Sequence, residues 1–64
     1  IKIKDSEVGF LRVRKDPKTD AEEIGKVNPG SSFKVKSEQG GWYEIEYEID
    51  KRGWVSGQYV SVEN

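Results

Sequence analysis

Two kinds of residue in this chain could do chemistry. The first is aromatic: Gly41-Trp42-Tyr43-Glu44-Ile45-Glu46-Tyr47, Gly53-Trp54-Val55-Ser56 and Tyr59-Val60 follow one another at hairpin spacing and hold five of the seven aromatic residues. A chain of 64 residues cannot spend that much ring surface on packing alone. Exposed rings in a row form a face on which a flat ligand stacks. The second kind is acidic. Strand spacing places Glu44, Glu46 and Glu48 on one face, where carboxylates could hold a metal or act as an acid–base pair. Asp16, Asp20, Glu22 and Glu23 lie in a charged stretch around Pro17 and read mostly as solubilising charge; the alternative is a mobile acidic loop beside a groove that selects a cationic ligand.

Most catalytic classes fall away at once. The chain has no Cys and no His, so it has no disulfide framework, no ordinary zinc site and no imidazole to activate a serine. No segment has the spacing of a calcium loop or a phosphate-cradling glycine loop. The expectation is a non-enzyme without metal or cofactor. Eleven basic and twelve acidic residues alternate along the chain, so no single-sign field draws in nucleic acid. No apolar run approaches the roughly 20 residues of a membrane span, and none has the pattern of a signal peptide. The start at Ile1 rather than Met is what would be expected of a module cut from a longer protein or of a chain from which a tag was removed.

The elements that position these residues read as strands. Period-two alternation runs through Ile1 and Ile3, through Leu11 and Val13, and through Phe33 and Val35, and no apolar stripe at helical spacing is sustained. The chain is therefore all-β. Asn28-Pro29-Gly30-Ser31 suits a type II turn, with Pro second and Gly third, and ends the strand around Ile24 and Val27. Residues 15–23 read as an exposed excursion, with a single helical turn as the alternative. A domain of this size buries only about 60% of the surface its unfolded chain exposes, so any site is shallow.

Burial then predicts a register. Val35 opposite Ile45 sets Phe33 against Tyr47 and Ser37 against Tyr43 inside, with Lys34 against Glu46 and Lys36 against Glu44 outside, which neutralises two of the carboxylates. In the next hairpin Val55 is expected opposite Ile45, Gly53 opposite Tyr47, and Trp54 beside Glu46. Tyr43 and Tyr47 share the parity of Ile45 and belong to the core or its rim, their hydroxyls reaching water. Trp42, Trp54 and Phe10 point outward. Trp42 is either a stacking platform or a lid over the end of the fold. Tyr59 either offers its hydroxyl to a ligand or packs on the core, and Trp54 either binds or covers the sheet. Ile49, apolar at a loop tip, folds back on the core, meets a partner domain, or is merely exposed.

The ordered set of these segments resembles the bacterial SH3 domain, the SH3b type of cell-wall hydrolases and envelope proteins. Gly9-Phe10-Leu11-Arg12-Val13-Arg14 with Pro17 is similar to that family's opening, Ile24-Gly25-Lys26-Val27 with Gly30 to its middle, and the aromatic segments from Gly41 to Val60 to its end. The resemblance covers nearly the whole chain and implies one domain over residues 1–64. Its fold would be a small SH3-like barrel of five to seven short antiparallel strands in two packed, orthogonally bent sheets. It further implies a non-catalytic, extracytoplasmic binding module, monomeric in isolation and not inserted in a membrane. The implied partner is a cell-wall peptide or glycan, or a neighbouring protein domain. The ligand-binding candidates are Trp42, Tyr59, Trp54, Phe10 and Ser56.

The tail also resembles the eukaryotic SH3 pattern, in which a Trp, a Pro and a Tyr line a groove for Pro-rich peptides. Trp42 and Tyr59 match it, but Ser56 stands where that Pro would be, and Arg12-Val13-Arg14 replaces the opening acidic-aromatic motif. A groove in the same place is expected, without polyproline recognition.

Overall fold

Turn chemistry cuts the chain into short strands. In the computed structural model, which describes residues 1–4 and 9–62, these are β1 (Lys2–Ile3), β2 (Leu11–Arg14), β3 (Glu23–Val27), β4 (Val35–Gln39), β5 (Trp42–Glu48), β6 (Lys51–Ser56) and β7 (Val60–Ser61). A single 3-10 turn, Gly57–Tyr59, separates β6 from β7. All pairings are antiparallel: one sheet runs β3-β2-β6-β5-β4 and the other pairs β1 with β7. The all-β, two-sheet SH3-like fold expected from the sequence is the fold observed. Among the described residues no helix is long and apolar enough to cross a membrane.

The N-terminal strand ties the two sheets together. The Ile3 amide donates to the Ser31 carbonyl at 2.9 Å, that of Lys4 to Tyr59 at 2.9 Å, and that of Phe33 to Ile1 at 2.9 Å. Inside, Ile3, Val13, Val27, Ile45, Val55 and Val60 form the buried cluster, with Ile1, Leu11, Ile24, Phe33, Tyr43 and Tyr47 packed around it. Each fully buried aliphatic side chain contributes roughly 1.5–3 kcal/mol. Asn28-Pro29-Gly30-Ser31 turns as expected, Gly30 at φ 88° and the Ser31 amide 3.2 Å from the Asn28 carbonyl.

Two registers differ from the sequence-based expectation, for one reason. Val35 does pair with Ile45, but the following pairs are Ser37–Glu44, Glu38–Tyr43 and Gln39–Trp42, with a bulge between Val35 and Ser37. Gly40 and Gly41, at φ 58° and 84°, form a two-residue turn of the kind that needs positive φ at both positions. That turn fixes Gln39 opposite Trp42, one residue out of step with Val35–Ile45, and Lys36 absorbs the difference. Ser37 therefore meets Glu44 rather than Tyr43, and Lys36 does not pair with Glu44. The strand also starts at Val35, so Phe33–Tyr47 and Lys34–Glu46 are not pairs. Val35 is 40% exposed, not half-buried, and all of β4 faces water.

On the other side of β5 the pairs are Tyr43–Val55, Glu44–Trp54, Ile45–Gly53 and Glu46–Arg52, shifted by two residues from the expected Val55–Ile45, Gly53–Tyr47 and Trp54–Glu46. The faces survive because the shift is even. The cause is a two-residue turn, Ile49-Asp50, together with an irregularity between Glu46 and Glu48 that brings Glu48 opposite Lys51. Asp50 takes φ 62°, which its short polar side chain tolerates, and its amide donates to Glu46 Oε2 at 3.2 Å. Gly53 lies buried where β2 crosses; a Cβ there would strike Val13 Cγ1 and crowd Ile24 Cδ1.

Three smaller expectations are also settled. The Tyr47 hydroxyl does not simply reach water: it donates to the Ile24 carbonyl at 3.2 Å, with the ring against Gly25. The excursion forms no helical turn; it folds through the Lys15 amide to the Glu22 carbonyl at 2.9 Å and buries Ala21. Ile49 is 90% exposed and does not fold back on the core.

Candidate functional site

A groove of about 480 Å³ opens on the outer face of the five-stranded sheet. Its position follows from three local structures. The Gly40-Gly41 turn starts β5 on Trp42, whose strand partner is Ser56 at the end of β6. Ser56 Oγ accepts the Gln58 amide at 3.3 Å and so caps the 3-10 turn, setting Gln58 and Tyr59 on the wall. The Gly57 amide donates to the Gly41 carbonyl at 2.8 Å, which locks the two turns together. Gly57 allows that approach, since a Cβ there would collide with the Gly41 carbonyl oxygen and press on the Tyr43 ring.

The facing wall comes from β2 and its approaches. Phe10, Leu11, Arg12 and Arg14 line it, Thr19 reaches it from the excursion, and Lys4 closes one end. Phe10 has two cations near its ring, Lys26 Nζ at 4.8 Å and Arg12 Cζ at 5.6 Å from the centroid. Cations over a ring are attracted by its quadrupole, worth about 0.5–1 kcal/mol at an exposed site. Arg12 Nε also meets Glu23 Oε1 at 2.9 Å, and Arg14 Nη1 donates to the Ala21 carbonyl at 3.1 Å.

Four of the aromatic and polar candidates, Trp42, Tyr59, Phe10 and Ser56, thus share one groove. Trp54 does not reach its wall: it is half-buried on the same outer face, one pair further along, between Glu44 and Arg14. Asp16, Asp20 and Glu22 stay exposed off the wall, and Glu23 belongs to β3 and is paired with Arg12. The cations Lys4, Arg12 and Arg14 are what sequence reasoning missed. Arg12 and Arg14 share the outward parity of Phe10, which was the available signal; Lys4 had none.

Each carboxylate of the Glu44, Glu46 and Glu48 series meets a different neighbour. Glu44 Oε1 accepts from Ser37 Oγ at 3.1 Å, Glu46 from the Asp50 amide, and Glu48 Oε2 lies 3.2 Å from Lys51 Nζ. Among the described residues no group of three or more acidic side chains is placed to hold a metal ion.

Comparison with known proteins fits this geometry. A Bacillus subtilis (strain 168) protein, YrvJ, provisionally named an N-acetylmuramoyl-L-alanine amidase, is 43% identical over 51 residues. The match covers 80% of this chain and only 10% of that relative's length. No solved structure gives a significant match. The family model of the bacterial SH3 domain matches residues 9–61, through every element from β2 to β7, and the chain belongs to that family.

Proposed function

We propose that this chain is a non-catalytic binding module that attaches its parent protein to the bacterial cell wall, taking a peptide or glycan of peptidoglycan into the Trp42–Tyr59 groove. The observation that carries the reading is that groove: Trp42, Tyr59 and Phe10 wall a single open concavity, held in shape by the Ser56 cap and the Gly57–Gly41 bond. Similarity to a relative whose name specifies an amidase of N-acetylmuramoyl-L-alanine bonds supports a cell-wall setting, and with it an extracytoplasmic location. Because the match spans a tenth of that relative, the role is that of one module in a longer protein. An open groove buries few contacts, so affinity on the order of micromolar or weaker is expected, rising where several copies act together.

Titration with solubilised peptidoglycan fragments, followed by tryptophan fluorescence, tests the reading. A saturable change is expected, retained in Trp54→Phe and lost in Trp42→Phe, because only Trp42 lines the groove. No change at millimolar fragment overturns it. An isolated chain that ignores fragments but associates with another domain of its parent would identify the aromatic face as a docking surface instead.

A further inference from the structure

Among its described lining residues the groove carries charge of one sign. Lys4, Arg12 and Arg14 line it, and among the described lining residues there is no Asp or Glu. Lys26 adds a fourth cation over Phe10, against one carboxylate among the described residues, Glu23 on Arg12. The chain as a whole has net charge −1, so this local excess is not a reflection of composition. Topology assembles it: Lys4 follows β1, Arg12 and Arg14 come from β2, and Lys26 from β3.

The two guanidiniums are also positioned in advance. Each has five N–H donors in a rigid fork. Arg12 is held by Glu23 through Nε, and Arg14 by the Ala21 carbonyl through Nη1. These contacts bias each fork toward one orientation and leave further donors over, which lowers the side-chain entropy lost on binding. A carboxylate accepts two such donors side by side, in charge-assisted bonds about twice as strong as neutral ones.

On the reading of the groove as a cell-wall site, and resting on it, we propose that its ligand is a carboxylate-bearing peptide whose anionic group sits between Lys4, Arg12 and Arg14 while its neighbouring residues lie against Trp42 and Tyr59. A peptide fits better than a phosphate-rich polymer. The cations line one short aromatic-walled groove of about 480 Å³, whereas a polyanion needs a stripe of cations along its length. The acidic residues of the excursion do not themselves line the groove, although Thr19 beside them does.

The test compares soluble muropeptides with the same muropeptides after their carboxyl groups are converted to carboxamides, both titrated into the intact chain. Native fragments should bind and amidated fragments should bind at least tenfold more weakly. Lys4→Gln and Arg14→Gln should each weaken native binding several-fold to about tenfold, as expected for loss of a bond to a charged group. Lys4 makes no ion pair among the described residues, so its variant has little reason to misfold. Raising the salt from 0.05 to 0.5 M should weaken native binding and leave amidated binding nearly unchanged. Equal affinity for native and amidated fragments overturns the carboxylate proposal and leaves the cell-wall reading standing. Binding of neither overturns both. Tighter capture by a polyphosphate chain than by native fragments also overturns it, in favour of a phosphate polymer.

Discussion

The two ends of the β5–β6 ribbon are built from the same alternating pattern and handle charge in opposite ways. At the Ile49-Asp50 turn charges meet partners close by in the chain: Glu48 lies 3.2 Å from Lys51, Glu46 accepts the Asp50 amide, and Arg52 stands across the strand from Glu46. At the other end, the Trp42–Ser56 pair meets β2, the 3-10 turn and the residue after β1, and cations from separate segments converge on a groove. Among the described residues, Arg12 alone of those on the wall has a carboxylate beside it. Charges that neutralise their sequence neighbours keep a turn soluble. Charges gathered by topology from separate segments onto one wall remain available to something else.

The largest expected effect tests whether both ends depend on one core. Gly53 sits mid-ribbon opposite Ile45, with no room for a Cβ beside Val13 and Ile24. Gly53→Ala should destabilise by about 1–3 kcal/mol, the usual cost of forcing a methyl into packed space. Urea denaturation should show a single transition at lower midpoint, with groove binding and distal structure lost together. A change below about 0.5 kcal/mol would mean that β2 does not cross the ribbon at this point.

That crossing marks where the sequence stops being readable. Period-two alternation was enough to place Ile45 and Val55 inward and Trp42 and Trp54 outward, and the Pro29-Gly30 pair was enough to end β3, because these depend on neighbours in the chain. Registers depend on how turns and bulges share out single residues. The Gly40-Gly41 turn and the Lys36 bulge together moved Glu44 from Lys36 to Ser37. The site divides the same way. Parity alone puts both tryptophans outward, but only the 3-10 turn and β2, folded over one part of that face, make Trp42 a groove residue and leave Trp54 beside it. Lys4 reaches the groove solely because β1 closes against β7, which no local pattern encodes.

Two further variants separate the ends by readout. Tyr47→Phe removes the hydroxyl bond to the Ile24 carbonyl, on the inner face. It should cost about 0.5–1.5 kcal/mol in denaturation and leave fragment binding unchanged. Ser56→Ala removes the cap that accepts the Gln58 amide at the groove. Its stability cost should be smaller, about 0.5 kcal/mol, since the turn is short and its amide is open to water. Its binding should nonetheless fall about two- to fivefold, because the cap sets Gln58 and Tyr59 on the wall. If Ser56→Ala binds as wild type, the 3-10 turn is held by the Gly57–Gly41 bond alone.

The smallest effect is the sharpest check on the comparison. Lys51 and Glu48 form an exposed pair three residues apart, both side chains more than half accessible. Such pairs are worth little, because water screens the attraction and two long side chains must give up freedom to meet. Lys51→Ala should therefore move the denaturation midpoint by an amount equivalent to at most about 0.5 kcal/mol. Fragment affinity should not move at all, since Lys51 lies at the far end of the ribbon from Trp42. The variant changes the net charge by the same single unit as Lys4→Gln. A general electrostatic attraction between a cationic surface and an anionic wall would respond equally to both substitutions. A response confined to Lys4→Gln would place the interaction in the groove.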